Sequence, residues 1–215
     1  MNSGTCLKNL TLSLGLLLGF SSCLQASDPT VAMRELEAIM ADDGRRQASY
    51  AAGQERMLFC GYCHGEDGNS KRDYIPNLAT QHPLYLFNQF EQFGDGRRED
   101  LVMTTLAKSL SVQERIDIAV YFNQQTVRPR EGGDPALAAV GERFFGSFCF
   151  TCHGAEAKGV RDMPRLAGQP ARYLENTLKR FRDADPAQNG SVMTGIAKSL
   201  SDSDISALAT YLQGM

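Results

Sequence analysis

The sequence predicts an all-α chain made of two tandem copies of one helical domain, and three observations carry that expectation. First, the chain aligns with itself. Cys60 matches Cys149 at an offset of 89; the run 75–81 (Ile-Pro-Asn-Leu-Ala-Thr-Gln) matches 163–169 (Met-Pro-Arg-Leu-Ala-Gly-Gln) at 88; 103–111 (Met-Thr-Thr-Leu-Ala-Lys-Ser-Leu-Ser) matches 193–201 (Met-Thr-Gly-Ile-Ala-Lys-Ser-Leu-Ser) at 90. These differences in offset read as small loop insertions. Second, Tyr85, Leu86, Phe90 and Phe93 and their counterparts Tyr173, Leu174, Leu178 and Phe181 recur at helical apolar spacing. Third, Ser111-x-x-Glu114 and Ser201-x-x-Asp204 are helix-start patterns, in which the hydroxyl satisfies an orphan amide and the acid favours the positive helix end. Two copies make a tandem pair rather than a solenoid.

In chain order, residues 1–26 read as an export signal. Lys8 supplies the positive region, and residues 10–20 supply an apolar run of eleven. That run falls short of the roughly 20 residues that span a bilayer as a helix. Cleavage is expected after Ala26. The alternative is Phe20-Ser21-Ser22-Cys23, a poor version of a lipid-attachment box, which would lipidate Cys23 and associate the protein peripherally with a membrane. The first domain, 27–127, opens with an amphipathic helix over 31–40 that has no counterpart in the second. A helix over 53–59 follows, a middle one over 83–93, and a last one from Ser111 with Ile116, Ala119 and Val120 facing inward. Residues 128–135 form a linker rich in Pro, Gly and charge. The second domain, 136–215, repeats the pattern with helices over 141–148 and 172–181 and from Ser201, where Ile205, Leu208, Ala209 and Leu212 face inward.

The chemistry lies in two copies of Cys-x-x-Cys-His, Cys60–Cys63–His64 and Cys149–Cys152–His153. They use every cysteine beyond residue 26 and two of the three histidines. This is the attachment signature of c-type haem. Thiols three residues apart lie on about one helical turn and can add to two porphyrin vinyl groups, while the adjacent histidine ligates the iron. Two covalently attached haem c groups are therefore expected. A dithiol redox pair or half a zinc site needs no histidine after the second cysteine, and a zinc site pooling both pairs would close an unusually long loop. With all four cysteines committed, no structural disulfide is expected even in an oxidising compartment.

Histidine leaves one side of the iron open, and the repeat supplies candidates for it. Met103 and Met193 stand in the duplicated Met-Thr-x-x-Ala-Lys-Ser-Leu-Ser context, expected in the loop just ahead of the last helix. A thioether there raises the reduction potential. Met57, inside a helix, and Met163, matched by Ile75, compete less well. The carbonyls of Pro76 and Pro164 can accept the second ring N–H of His64 and His153, with a plain turn as the alternative. His82, matched by Pro170, reads as a surface or loop residue. Phe144, Phe145, Phe148 and Phe150 read as haem-packing or core residues.

Net charge is −3, divided as +1 over 1–27, −5 over 28–127 and +1 over 128–215, and nothing suggests a nucleic-acid-binding surface. The chain resembles the dihaem cytochrome c4 family across its mature length. The matching runs are Gly53-Gln-Glu-Arg before Cys60-Gly-Tyr-Cys63-His64-Gly65, then Asp67-Gly-Asn-Ser70, Asp134-Pro-Ala-Leu137, Pro164-Arg-Leu-Ala-Gly-Gln169 with Tyr173-Leu174, and Tyr211-Leu-Gln-Gly214. The resemblance implies two class I cytochrome c domains, each wrapped around one covalent haem, with the haems close at the domain interface and ligated by His64/Met103 and His153/Met193. It also implies a periplasmic electron carrier without catalytic residues, taking electrons from a quinol-oxidising complex or other donor and passing them to a terminal oxidase or other acceptor. A cytochrome subunit of a periplasmic dehydrogenase is the alternative. A dihaem peroxidase is more remote, because it needs an open iron.

Overall fold

The computed structural model describes residues 28–185 and 191–215; the expected export signal lies outside them. Helices α1 (Pro29–Ala41), α2 (Asp43–His64), α3 (Pro83–Asp95), α4 (Leu101–Ser109) and α5 (Val112–Asn123) build the first half. Helices α6 (Pro135–Phe144), α7 (Phe150–His153), α8 (Ala171–Asp183), α9 (Val192–Ala197) and α10 (Asp202–Gln213) build the second, with a π-helical turn, Phe145–Cys149, between α6 and α7. Among the described residues no strand forms beyond an isolated bridge, Val160 with Met163. The chain is all-α, with the class I cytochrome c fold in tandem.

The helix starts follow local chemistry. Asp28, Asp42, Asp100 and Asp134 each accept backbone N–H bonds as N-caps, and Pro29, Pro83 and Pro135 occupy first helical positions, where the missing N–H costs nothing. Ser111 with Glu114 and Ser201 with Asp204 form the expected capping boxes, each stabilising its helix by about 1 kcal/mol. The first haem-motif helix is longer than its apolar spacing suggests. It begins at Asp43 rather than at Gly53, because Asp42 caps it and no glycine or proline signal interrupts 45–52.

Both halves are organised by one helix crossing. α2 lies against α5 at Gly53, where a Cβ would overlap the Asp117 carbonyl oxygen and come within 2.8 Å of Tyr121 Cβ. α6 lies against α10 at Gly141, where a Cβ would meet the Ala207 carbonyl oxygen and Tyr211 Cβ in the same way. Only glycine lets the backbones approach this closely. The matched glycines differ by 88 and the matched cysteines by 89, so the second copy carries one extra residue between them. That residue is absorbed inside the helix as the π turn, the usual way a helix accommodates an added residue, whereas the offset changes beyond the motif, 89 to 88 and 88 to 90, fall between helices as expected.

The expected extra helix is present as α1. Ala32, Leu36 and Ile39 pack on Phe87, Ile116 and Val120 of α3 and α5. The matching positions of the second half are Glu175, Ser206 and Thr210, and Ser206 Oγ donates to Glu175 at 3.0 Å. An uncovered face there is polar, and a covered one apolar. The remaining cores differ little: Leu86, Phe90, Phe93, Ala119 and Phe122 fill the first half, and Phe145, Leu174, Leu208, Ala209 and Leu212 the second.

The halves meet through their duplicated loops. Asn77 N–H donates to Gln169 Oε1 at 2.9 Å, and Gln169 Nε2 donates back to the Asn77 carbonyl at 2.8 Å. Reciprocally, Arg165 N–H donates to Gln81 Oε1 at 2.8 Å, and Gln81 Nε2 donates to the Arg165 carbonyl at 3.0 Å. Gln81 and Gln169, like Asn77 and Arg165, are equivalent in the repeat, so the contact is self-complementary about a local two-fold.

Replacing Gly141 by Ala is expected to destabilise the protein by about 1–3 kcal/mol, since backbone must yield to the new methyl. Gly94→Ala, in α3 where a Cβ meets open space, is expected to be neutral or to stabilise by up to about 1 kcal/mol. Thermal unfolding of the two variants checks this; equal midpoints would show that the crossing at Gly141 is not tight.

Candidate functional site

Each Cys-x-x-Cys-His motif ends a helix. α2 stops at His64 because Gly65 takes φ 80°, and α7 stops at His153 because Gly154 takes φ 76°; both histidines are buried. Cys60, Cys63 and Cys149 are partly buried and Cys152 exposed, and none of the four is in a disulfide. Burial, with Cys63 alongside, pushes the Cys60 thiol up to about 11, and burial also raises the Cys149 thiol. A dithiol redox pair needs the opposite shift. Among the described residues, moreover, no three His, Cys, Asp or Glu side chains gather as a metal site would require.

The ring of each histidine is held the same way. His64 Nδ1 lies 3.0 Å from the Pro76 carbonyl oxygen, and His153 Nδ1 lies 3.0 Å from that of Pro164. A carbonyl only accepts, so Nδ1 carries the proton and Nε2 is left with its lone pair for a metal. Burial lowers the pKa of both imidazoles, the carbonyl contact partly opposing it, which favours the neutral ring a metal ligand needs.

Met103 and Met193 occupy equivalent places, though not in loops as expected. Met103 sits in the first turn of α4, where Asp100 accepts from the Val102 and Met103 amides at 3.0 and 2.9 Å; Met193 sits in the first turn of α9, capped by Ser191 at 3.3 Å. The helical turns form because an Asp and a Ser precede the methionines as caps. Met103 packs on the first core, as do Cys60 and Leu78. His82, expected as a surface or loop residue, lies in the loop just before α3, and its Nε2 is 2.8 Å from the Lys158 carbonyl across the halves.

Apolar side chains stand in solvent around both motifs. Phe59 (70 % exposed) and Tyr62 (88 %) flank the first, Phe148 (68 %) and Phe150 the second, and Leu101, Val102 and Val192 adjoin the methionines. Phe145, by contrast, is fully buried in the second core. So much apolar surface gathered at two sites calls for a cover. One edge of the region is cationic. Arg98 is half-buried with its Nε lacking any partner; its Nη2 is 3.5 Å from the Tyr173 hydroxyl, and its charge is felt at His64. Arg180 stands close enough to Arg98 for each to feel the other's charge, and burial pushes the Tyr85 phenol beside them up to about 12, a neutral donor. Among the described residues no carboxylate lies within ion-pair distance of either guanidinium. Sequence reasoning passed over these arginines, since neither belongs to a matched pair in the repeat. Haem, with apolar faces and carboxylates at one edge, fits such surroundings.

Comparison with known proteins agrees with the geometry. The cytochrome c family profile matches residues 138–215. Cytochrome c4 of Pseudomonas aeruginosa is 38 % identical over 177 residues, covering 77 % of this chain and 88 % of that protein. A thiosulfate dehydrogenase electron acceptor of Stutzerimonas stutzeri is 37 % identical over 184 residues, covering 80 % and 85 %. The crystal structure of reduced recombinant cytochrome c4 from Pseudomonas stutzeri superposes with a TM-score of 0.72 at 35 % identity, covering 77 % of this chain and 97 % of that one. With two attachment motifs, two proline-held histidines and relatives of this closeness along most of its length, the chain belongs to the cytochrome c4 family of dihaem c-type cytochromes, which transfer electrons and are not enzymes.

Proposed function

We propose that the chain is a periplasmic electron carrier between respiratory redox partners, organised as an export signal (1–26), a first cytochrome domain (27–127), a linker (128–135) and a second cytochrome domain (136–215). The observation that carries this reading is the duplicated site: a buried histidine directly after Cys-x-x-Cys, its Nδ1 held 3.0 Å from a proline carbonyl in both halves. When bound, each haem supplies a one-electron couple. The chain's residues do the rest. Cys60, Cys63, Cys149 and Cys152 would provide the thioether links, His64 and His153 would ligate iron through Nε2, and Met103 and Met193 would supply the second protein ligand in each half. Pro76 and Pro164 fix the imidazoles and make them more electron-donating. With haem seated against them, the exposed phenylalanines and valines around the motifs would exclude water and lower the local dielectric, which tunes the potentials.

The sequence of 1–26 supports the periplasmic location, and among the described residues no helix is long and apolar enough to cross a membrane. Relatives named thiosulfate dehydrogenase electron acceptor support a second reading, in which a dehydrogenase is the donor.

Replacing Cys60 and Cys63 together by Ala is expected to remove one covalent haem and leave the other. Intact mass of the exported protein checks this, and a wild-type mass equal to the bare polypeptide refutes the reading. Met103→His should lower the potential of one haem and Met193→His that of the other, read by redox titration of the low-spin spectra; potentials and spectra unaltered in both variants would remove the methionines as ligands.

The first half's −5 charge should attract a basic partner. Asp100 caps α4 and is best left intact, but Glu99 is exposed. Glu99→Lys should slow electron transfer to a basic partner at low salt, and wild-type rates should fall as salt rises, because at 0.1 M charges beyond about 10 Å are largely screened. Stopped-flow rates insensitive to both would show that the charge serves only solubility.

A further inference from the structure

The glutamines that join the halves also touch the peptide groups that hold the histidines. The Pro76–Asn77 peptide accepts from His64 Nδ1 through its carbonyl and donates through its N–H to Gln169 Oε1, at 3.0 and 2.9 Å. The Pro164–Arg165 peptide accepts from His153 Nδ1 and donates to Gln81 Oε1, at 3.0 and 2.8 Å. Each histidine is thus one peptide group away from a glutamine of the opposite half. Gln81, Gln169 and Asn77 are 3 %, 4 % and 2 % exposed, so little water competes for these bonds.

We propose that Gln169 and Gln81 are positioning residues that tune the haem of the opposite half, each polarising the peptide group whose carbonyl holds the other half's proximal histidine. The inference rests on the reading of His64 and His153 as iron ligands. An acceptor on a peptide N–H draws the proton outward and shifts electron density onto the carbonyl of the same amide, so bonds in series strengthen one another. A more basic carbonyl pulls harder on the Nδ1 proton and gives the imidazole more anionic character. A more electron-donating ligand stabilises ferric iron, lowering the potential. Removing the glutamine oxygen weakens the series, and the potential rises. The proximal ligands of the two haems are thereby linked through the interface itself, and any change in the seating of one half on the other is transmitted to both potentials.

The test is redox titration of the exported dihaem protein carrying Gln169→Met or Gln81→Met, with the two haems told apart by Met103→His and Met193→His. Gln169→Met should raise the potential of the haem on Cys60 and Cys63, leaving the other nearly unmoved; Gln81→Met should do the converse. The expected change is about threefold in the equilibrium constant for reduction, near 30 mV at about 59 mV per tenfold. Equal shifts at both haems, a shift confined to the substituted half, or none overturns the proposal. If the Met variants fail to accumulate, Gln169→Glu decides. It keeps an oxygen for the Asn77 amide and makes that oxygen a stronger acceptor, so the first haem's potential should fall; a value unchanged or raised overturns the proposal. A wild-type protein without two covalent haems would instead refute the functional reading, and intact mass separates the two failures.

Discussion

A neutral imidazole has two nitrogens and one proton, and a metal site works only if the proton is committed to the far nitrogen. Here the commitment is made by a proline carbonyl at 3.0 Å, in a loop that must itself be held. Leu78 and Ala79 donate to the Gly68 carbonyl, and Leu166 and Ala167 to the Ala157 carbonyl, tying each loop back to the turn after its motif. Thr80 N–H then donates to Phe122 of α5, and Gly168 N–H to Leu212 of α10. The last helix, the loop and the histidine form one braced unit in each half, and the glutamines join the two units. Proline suits positions 76 and 164 because its fixed φ stiffens the loop, while the N–H of the following residue stays available for the glutamine.

Duplication kept this unit and allowed its surroundings to diverge. The crossing glycines, the capping boxes and Tyr121 and Tyr211 persist, because each is fixed by backbone geometry that either copy must satisfy. The outer faces of α3 and α8 were free to change. Phe87, Ile116 and Val120 are compatible with α1 lying over them; Glu175, Ser206 and Thr210 are compatible with water. Burying Leu36 and Ile39 there is worth roughly 1.5–3 kcal/mol each. α1 thus stabilises the first half, while the second stands without such a cover.

Much of this was legible in the sequence. The repeat, the helix starts at Ser111 and Ser201, the extra helix and the proline carbonyls are local patterns with a known physical cause, and the structure has them. The failures are instructive. Gly53 and Gly141 differ by 88 and the motif cysteines by 89, and the residue behind that difference escaped the sequence reading because the helix itself takes it at Phe145–Cys149. The methionines were expected in loops, because caps at Asp100 and Ser191 start helices too short to show apolar periodicity. The interface was hidden for a different reason. Gln81 and Gln169 are visible as repeated residues, but their partners are backbone atoms of the other copy, and backbone atoms leave no mark in a sequence. Arg98 and Arg180 come together only once the halves are docked.

The glutamine pairs at the centre of the interface are symmetric, and its rim is not. At the centre, glutamine side chains grip backbone from both halves, and these four bonds ask nothing of the side chains at 77 and 165, although Asn77 Nδ2 adds an unmirrored bond to the Gly168 carbonyl at 2.8 Å. At the rim, Glu37 pairs with Arg161 at 2.6 Å, Asp73 lies 3.8 Å from Arg172, and His82 reaches the Lys158 carbonyl, contacts with no mirrored counterpart. Contacts of the first kind do not depend on the side chains at 77 and 165, whereas those of the second depend on particular side chains at both ends. A tandem protein built in this way can let the charges at its two ends drift apart, to −5 and +1 here, without disturbing the spacing or seating of its two sites. Meeting different partners at different ends requires that freedom, and passing an electron between the ends requires that the centre stay fixed.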